Sequence, residues 1–364
     1  MMIPRAVVAS HIKTILLVAA LLCLAALAAC AKASPTPTAT PLPPTPAPAI
    51  TPTAGPTVTP YPTDTPTPQP LGSQSNPLVF GLVLPAGQTA LPPEAGQLAA
   101  SLSKATGYTI QAQLIASYRS LLVNLHDGRV HLAFLPPFTY LEAQSQGSGT
   151  VLLVANHFGV YAYGTEFLAN VYDGYTPYFD PASGKDLGNA SQALAQFSGK
   201  RPCLVDPASG AGYLLPIGIL NQAGIATSDP VIARSYTAVV RALYTRHICD
   251  FGAVYAITGD PRTASGVQED MPDAVQKVPV IWRSDAVIPS LNVTASAQLS
   301  LDMTQAISRA LRDLVATSDG KTLLSAAAGG YTIDDFKTVD DSFYAPLQTY
   351  VTASGLPLDN FIGN

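Results

Sequence analysis

Charge is scarce in this chain. Only 12 % of its 364 residues are Asp, Glu, Lys or Arg, and the 19 basic residues are outnumbered by 24 acidic ones, for a formal net charge of −5. A nucleic-acid binder shows a basic stripe or patch, and no such cluster exists here. The same shortage excludes a polybasic membrane-surface segment. Histidine is equally sparse, at five residues, and His126, His131, His157 and His247 fall at no metal-ligand spacing. Four cysteines form no C-x-x-C pair, which leaves a thioredoxin-like or zinc-ribbon site without ligands. Neither G-x-S-x-G nor H-E-x-x-H occurs, since Ser209 follows Pro207-Ala208, so the sequence offers no serine-hydrolase elbow and no zincin helix. An enzyme is therefore the disfavoured class. Asp334, Asp335, Asp340 and Asp341 lack the spacing and glycine of a calcium loop and read as a solvated surface. No repeat of 20–50 residues is visible, which excludes a solenoid.

Long apolar runs are also few. The one at the N-terminus, "TILLVAALLCLAALAA", is too short for a membrane span of roughly 20 residues and right for a signal-peptide core. Arg5 and Lys13 precede it, and it ends in Leu27-Ala28-Ala29-Cys30. That ending resembles a bacterial lipobox, so residues 1–29 read as a lipoprotein signal peptide with Cys30 as the lipidated residue. A plain secretory signal with an incidental cysteine is the alternative. Loss of Arg5 and Lys13 takes the net charge from −5 to −7. Residues 30–75 hold 14 of the 33 prolines and no hydrophobic periodicity. Proline fixes φ and carries no N–H, so this Pro/Thr-rich stretch reads as an extended, disordered linker. The expected location is extracytoplasmic, anchored to the membrane by lipid.

Cys23 leaves with the signal, and Cys203 and Cys249 remain as a pair in an oxidising compartment. Each adjoins a short strand signal, "RPCLVD" and "CDFGAVYA". The two form a candidate disulfide if those strands are neighbours, and are otherwise two buried thiols.

From about Asn76 onward, strands and helices alternate. "PLVFGLVLP", "YTIQAQLIAS", "VHLAFLPP" and "TVLLVANHF" read as strands, with helices between them. A Gly-, Tyr- and Pro-rich crossing segment follows at 163–187, and then a second alternating run. Leu299, Met303, Ile307 and Leu311 mark one face of a later helix. The expected fold is α/β with two lobes, each a mostly parallel sheet flanked by helices. Residues 76–162 and 279–364 would form lobe 1 and residues 163–278 lobe 2. Ligands of open parallel sheets bind beyond the strands' carboxyl ends, so Pro136–Tyr140 and Asp206–Gly212 would face each other across a cleft.

The second of these segments begins "DPASGAGYLLPIGILNQAG". Small residues at a helix start let backbone N–H groups approach a ligand closely, and the helix dipole favours an anion there. An ordinary strand–turn–helix joint has the same composition, so both readings stand.

Four segments in order, "GRVHLAFLPPFTYLEA", "VDPASGAGYLLP", "RHICDFGAVYA" and "VPVIWRSDAVIPS", resemble the phosphate/phosphite/phosphonate substrate-binding proteins of ABC transporters. The resemblance covers about residues 77–345 and implies the type 2 periplasmic-binding-protein fold. It implies a small oxyanion as ligand, an ABC permease as partner, no cofactor, no metal and no nucleic acid. In the family a Ser-Thr-Ser run holds the anion. Here only Ser209 keeps a hydroxyl, because Gly210 and Ala211 occupy the next positions and Gly212 follows. Tyr236 stands where the family often has histidine, and Ile257 and Leu291 where aminophosphonate binders carry acids. His131 replaces the usual aspartate of its strand. The expected ligand-binding set is Tyr118, Ser209, Gly210, Ala211, Gly212 and Tyr236, from the resemblance, together with Tyr163 and Tyr255 as further tyrosines near the cleft. Tyr140 and Tyr213 are cleft candidates that fit a helix core equally well. An aromatic cleft of few charges suits an oxyanion with an apolar part, or a neutral ring compound. A sensor-linked binding module is the further alternative.

Overall fold

Residues 69–363 are described in the structure, a computed structural model. The signal peptide expected over 1–29, the lipidation site at Cys30 and most of the proposed linker lie outside these residues. The linker's last residues are folded, which moves the expected start of the domain. Leu71 packs on the first core, and the Thr109 N–H donates to the Gly72 carbonyl at 2.7 Å. Gly72, at φ 83°, lies so close to the Tyr108 ring that a Cβ would come within 2.8 Å of it. The domain therefore begins near Leu71 and not at Asn76.

One sheet runs β14-β4-β13-β3-β1-β2. Its strands are β1 (Leu78–Leu82), β2 (Ile110–Leu114), β3 (Leu132–Leu135), β4 (Gly149–Asn156), β13 (Asn292–Ser296) and β14 (Asp335–Thr338). β1 pairs in parallel with β2 and β3, while β13 is antiparallel to β3 and β4. Leu78, Phe80 and Leu82 alternate toward α1 (Pro93–Thr106), whose Ala95, Leu98, Ala99 and Leu102 form the i, i+3, i+4, i+7 stripe. Proline opens α1 where its missing N–H costs nothing, and Gly107 closes it at φ 79°. Two further helices of this lobe, α2 (Tyr118–His126) and α3 (Pro137–Ser145), follow β2 and β3.

The second sheet runs β11-β5-β10-β8-β9. It contains β5 (Ala162–Ala169), β8 (Pro202–Leu204), β9 (Val231–Ile232), β10 (Phe251–Ala256) and β11 (Val280–Arg283), and β12 (Ile288–Pro289) also pairs with β5. A separate two-stranded ribbon is formed by β6 (Phe179–Asp180) and β7 (Lys185–Asp186). Helices α4 (Leu215–Gln222) and α5 (Tyr236–Thr245) flank this sheet. β8 and β10 are parallel neighbours, and Cys203 in β8 is bonded to Cys249, just before β10, with Cα atoms 5.6 Å apart.

Both sheets are mixed, each a parallel block extended by antiparallel strands. This differs from the mostly parallel sheets expected. The lobe boundaries also move. β11 and β12 are antiparallel partners of β5, so the return to the first sheet falls at Ser290–Leu291 and not at residue 279. A third crossing follows α6 (Leu301–Val315), α7 (Ser318–Ala327) and β14. There α8 (Ala345–Ser354) packs along α4 of the second sheet, with Gly218 under the Tyr350 carbonyl. The final turn, Leu358–Phe361, comes back to α3 of the first lobe. The C-terminal tail thus packs on both lobes, and Tyr344, Leu347, Val351 and Phe361 join a core that contains residues of each.

Candidate functional site

A cavity of about 810 Å³ opens between the sheets. Its walls come from the loop after β1 (Leu82–Ala86), Pro136 and Pro137 after β3, the β4–β5 turn, Pro289–Leu291, and the segment after α7. Five tyrosines line it: Tyr118, Tyr163, Tyr236, Tyr255 and Tyr331. No Asp, Glu, Lys or Arg does, so His157 is its sole ionisable base among the described residues.

The two lobes present matching residues. Tyr118 is the first residue of α2 behind the N-cap Ser117, whose Oγ accepts the Ser120 N–H. Tyr236 is the first residue of α5 behind Ser235, whose Oγ accepts the Ala238 N–H. In both, the serine satisfies an orphan amide of the helix end and leaves the following tyrosine facing the cleft. Tyr255 meets Tyr236 edge to face, with centroids 4.8 Å apart and planes at 85°. Tyr163, on β5 of the second sheet, lines the same cavity. Burial pushes the Tyr118 phenol up to about 12 and raises Tyr163, Tyr236, Tyr255 and Tyr331 as well. All five are therefore neutral O–H groups at physiological pH, donors to an oxygen but not cations.

The Ser209–Gly212 segment is placed differently from the expectation. It lies beside the cavity and does not line it. Ser209 Oγ accepts the Gly212 N–H at 3.1 Å and sits 2.9 Å from Tyr236 Oη. The turn that follows is a π-type turn over Gly210–Leu214, in which the Tyr213 and Leu214 N–H groups both donate to the Ser209 carbonyl. Phe138, from α3 of the other lobe, covers Gly210: a Cβ there would come within 2.7 Å of the ring's Cζ. A Cβ on Gly212 would meet Val205 and Tyr236, and Ala211 is buried. The small residues are thus required by side-chain packing. Through its hydroxyl, Ser209 positions Tyr236, and when that hydroxyl donates, the tyrosine proton is free for a ligand.

Other candidates separate cleanly. Tyr140 is fully buried, accepting the Val151 N–H at 3.2 Å and donating to Asp341. Tyr213 packs on the core away from the cavity. Buried His131 takes the Val79 N–H on Nδ1 at 3.0 Å, which ties β3 to β1. Leu291 lines the cavity, so the position expected to lack a carboxylate does face the cleft. Asp334 and Asp335 accept the Phe158 N–H and the Tyr161 hydroxyl, and Asp340 caps the turn over Asp341–Tyr344. They are hydrogen-bond partners of their neighbours. Among the described residues no group of acids, histidines and cysteines is arranged to hold a metal. Sequence reasoning missed His157, Phe158, Ser290, Tyr331 and the Leu82–Ala86 loop.

Two lobes joined by crossing segments around a ligand-sized, tyrosine-lined cleft define a binding protein of the type 2 periplasmic class. The family described as "ABC transporter, phosphonate, periplasmic substrate-binding protein" matches residues 80–344. The chain belongs to that family, one of binding proteins and not enzymes. It is 25 % identical over 203 residues to a protein of Mycolicibacterium smegmatis named "Phosphate-import protein PhnD". That match covers 52 % of this chain and 57 % of the relative, so the chain spans little more than half the length of the curated relative it matches. Solved structures of XAC2383 from Xanthomonas citri, one bound to chloride and one to ATP, superpose with TM-scores of 0.53 at 16 % identity. They cover 76 % of this chain and 97 % or 96 % of the neighbour. That likeness is one of fold. No helix among the described residues is long and apolar enough to cross a membrane.

Proposed function

We propose that this chain is the lipid-anchored, extracytoplasmic solute receptor of an ABC importer, and that its ligand is a phosphonate-type oxyanion carrying an apolar body. One observation carries the reading: the cleft between the lobes is lined by five neutral tyrosines, His157, Thr258, Ser290 and apolar side chains, without an Asp, Glu, Lys or Arg. Hydrogen bonds to a charged group contribute about 1.5–3 kcal/mol each, so two or three phenol donors are enough to hold an oxyanion. The Leu82–Ala86 loop, Phe134 and Pro289 supply the apolar remainder. The mechanism is binding followed by closure about the crossings at 157–161 and 290–291, with no bond made or broken. Cys30 would hold the lipid, the linker would space the domain from the membrane, and an ABC permease would receive the loaded form.

A second reading, a neutral ring compound as ligand, is favoured by Phe138, whose ring packs where a side chain on Gly210 would stand. A thermal-shift panel on protein stripped of carried-over ligand by partial unfolding and dialysis separates the two. A ligand at 100 times its Kd adds about 2.7 kcal/mol to stability, or several degrees for a domain of this size. A shift with phosphate, phosphite, methylphosphonate or a sulfonate supports the oxyanion. A shift confined to neutral heterocycles refutes it in favour of the second reading. Aminoethylphosphonate should do no better than methylphosphonate, because Leu291 offers its ammonium no carboxylate.

A further inference from the structure

The lobe 1 corner of the cleft is built from aromatic rings. His157 stacks on Tyr331 with centroids 4.1 Å apart and planes at 20°, and Phe158 leans against His157 at 4.2 Å and 49°. All three line the cavity. The assembly is pinned from behind. His157 Nδ1 lies 2.8 Å from the Thr332 carbonyl oxygen; a carbonyl only accepts, so Nδ1 carries a proton and the ring plane is fixed. The Phe158 N–H donates to Asp334 Oδ2 at 3.1 Å, and the Gly159 N–H to Asn156 Oδ1 at 2.9 Å. His157 and Val160 exchange both backbone bonds. This turn holds Phe158 at φ 51°, a conformation bulky residues seldom adopt. The phenyl ring is left 64 % exposed at the edge of a cavity.

Ser290 supplies a separate observation in the same corner. It is 2 % exposed and lines the cavity, yet its Oγ has no hydrogen-bond partner. The neighbouring Tyr331 phenol takes the Leu291 N–H at 3.4 Å and is the polar group nearest to pairing with Ser290 in the structure. Buried hydroxyls are nearly always paired in native proteins. Gly330 borders the same space, and a Cβ built there would meet no atom within 4 Å. Room, flat aromatic walls and an unpaired hydroxyl coincide.

Resting on the reading of this chain as a solute receptor, we propose that this corner is a second subsite of the cleft, which takes a planar aromatic ring. The ring stacks against Phe158 and the His157–Tyr331 pair, and a polar substituent on it pairs with Ser290 Oγ. The apolar body of the ligand is therefore aromatic, and the phenols of Tyr163 and Tyr236 receive its head group.

Isothermal titration of the purified protein with methylphosphonate, phenylphosphonate and benzamide tests this. Phenylphosphonate should bind about 10-fold tighter than methylphosphonate or better, the return on burying a ring. Phe158→Ala and Tyr331→Leu should collapse that ratio toward unity. Ser290→Ala should weaken benzamide about fivefold, as expected for one neutral hydrogen bond. Phe158 is exposed, so its alanine variant keeps the test meaningful should Tyr331→Leu fail to fold. Benzamide binding without either phosphonate upholds the ring subsite and refutes the oxyanion head. Equal binding of the two phosphonates, with a ratio that neither variant moves, overturns the subsite. An equal loss of every ligand on Phe158→Ala marks a closure contact and also overturns it, as does silence from all three compounds.

Discussion

Gly210 marks a close approach between the two lobes that can be tested quantitatively. A methyl group there would sit within 2.7 Å of Phe138 Cζ, with Ile288 Cδ1 at 3.7 Å on another side. Carbon atoms rest at about 3.5–4.0 Å, so the ring would have to retreat by about 1 Å. It has nowhere to go, being 6 % exposed and packed on Phe361 with centroids 5.4 Å apart. Overpacking of this kind costs about 1–3 kcal/mol, and Gly210→Ala should lose that much in urea unfolding. Phe138→Ala alone should cost about 3–5 kcal/mol. In the double variant the clash is gone, so its loss should match Phe138→Ala and fall short of the sum by about 1–3 kcal/mol, a coupling expected only of residues in contact. Because Phe138 and Gly210 belong to different lobes, scattering should also show Gly210→Ala with the larger radius of gyration. A Gly210→Ala protein within 0.5 kcal/mol of wild type, or an additive double variant, would refute the packing account of this glycine.

Three other outcomes follow from the same geometry. The Cys203–Cys249 bond closes a loop of 46 residues, for which the chain-entropy relation gives about 4 kcal/mol; reduction should lower Tm by roughly 6–7 °C, and a Tm unmoved by reductant that demonstrably frees both thiols contradicts this. Glu166 is 1 % exposed, with Oε2 on Arg283 at 2.7 Å and Oε1 unpaired, and burial raises its carboxyl above the ordinary 4.5 against the pull of Arg283. The folded state then binds the proton more tightly than the unfolded chain, so this group's stabilisation is full below pH 4.5 and is lost as pH rises through the raised value. Glu166→Gln should flatten that slope in urea midpoints taken between about pH 4 and 7, and an unchanged slope excludes Glu166 as its source. Tyr236→Phe should weaken a bound oxyanion by about 1.5–3 kcal/mol, roughly 10- to 150-fold in Kd. Ser209→Ala should instead cost about 0.5–2 kcal/mol of stability as a lost cap; a larger loss of affinity than Tyr236→Phe would reverse the assigned roles.

The sequence and the structure agree where a signal is local and part where it is not. Helix α1 carries its own proline start and glycine stop, and the strands of each parallel block carry their own apolar runs, so their existence was legible. Which sheet "VPVIWRS" joins was not, because pairing with β5 is settled more than a hundred residues away, and the boundary at 279 failed for that reason. Tyr118 and Tyr236 are expected at the cleft from the family resemblance, and in the structure each follows a serine that caps its helix, and each lines the cavity. His157, Phe158, Ser290 and Tyr331 come together only in space. Their one local trace is a bulky residue inside the Asn156–Val160 turn, where Asn156 and Gly159 hold it out. The Ser209–Gly212 segment is the most instructive case. Its small residues read as either an anion seat or an ordinary strand–turn–helix joint, because glycine looks the same in sequence whether the visitor is an anion or a phenylalanine. Here Phe138, Val205 and Tyr236 occupy the space that side chains at Gly210 and Gly212 would need. On the proposed reading, oxygen recognition falls to the neighbouring phenols, and Ser209 serves it at one remove, through its bond to Tyr236.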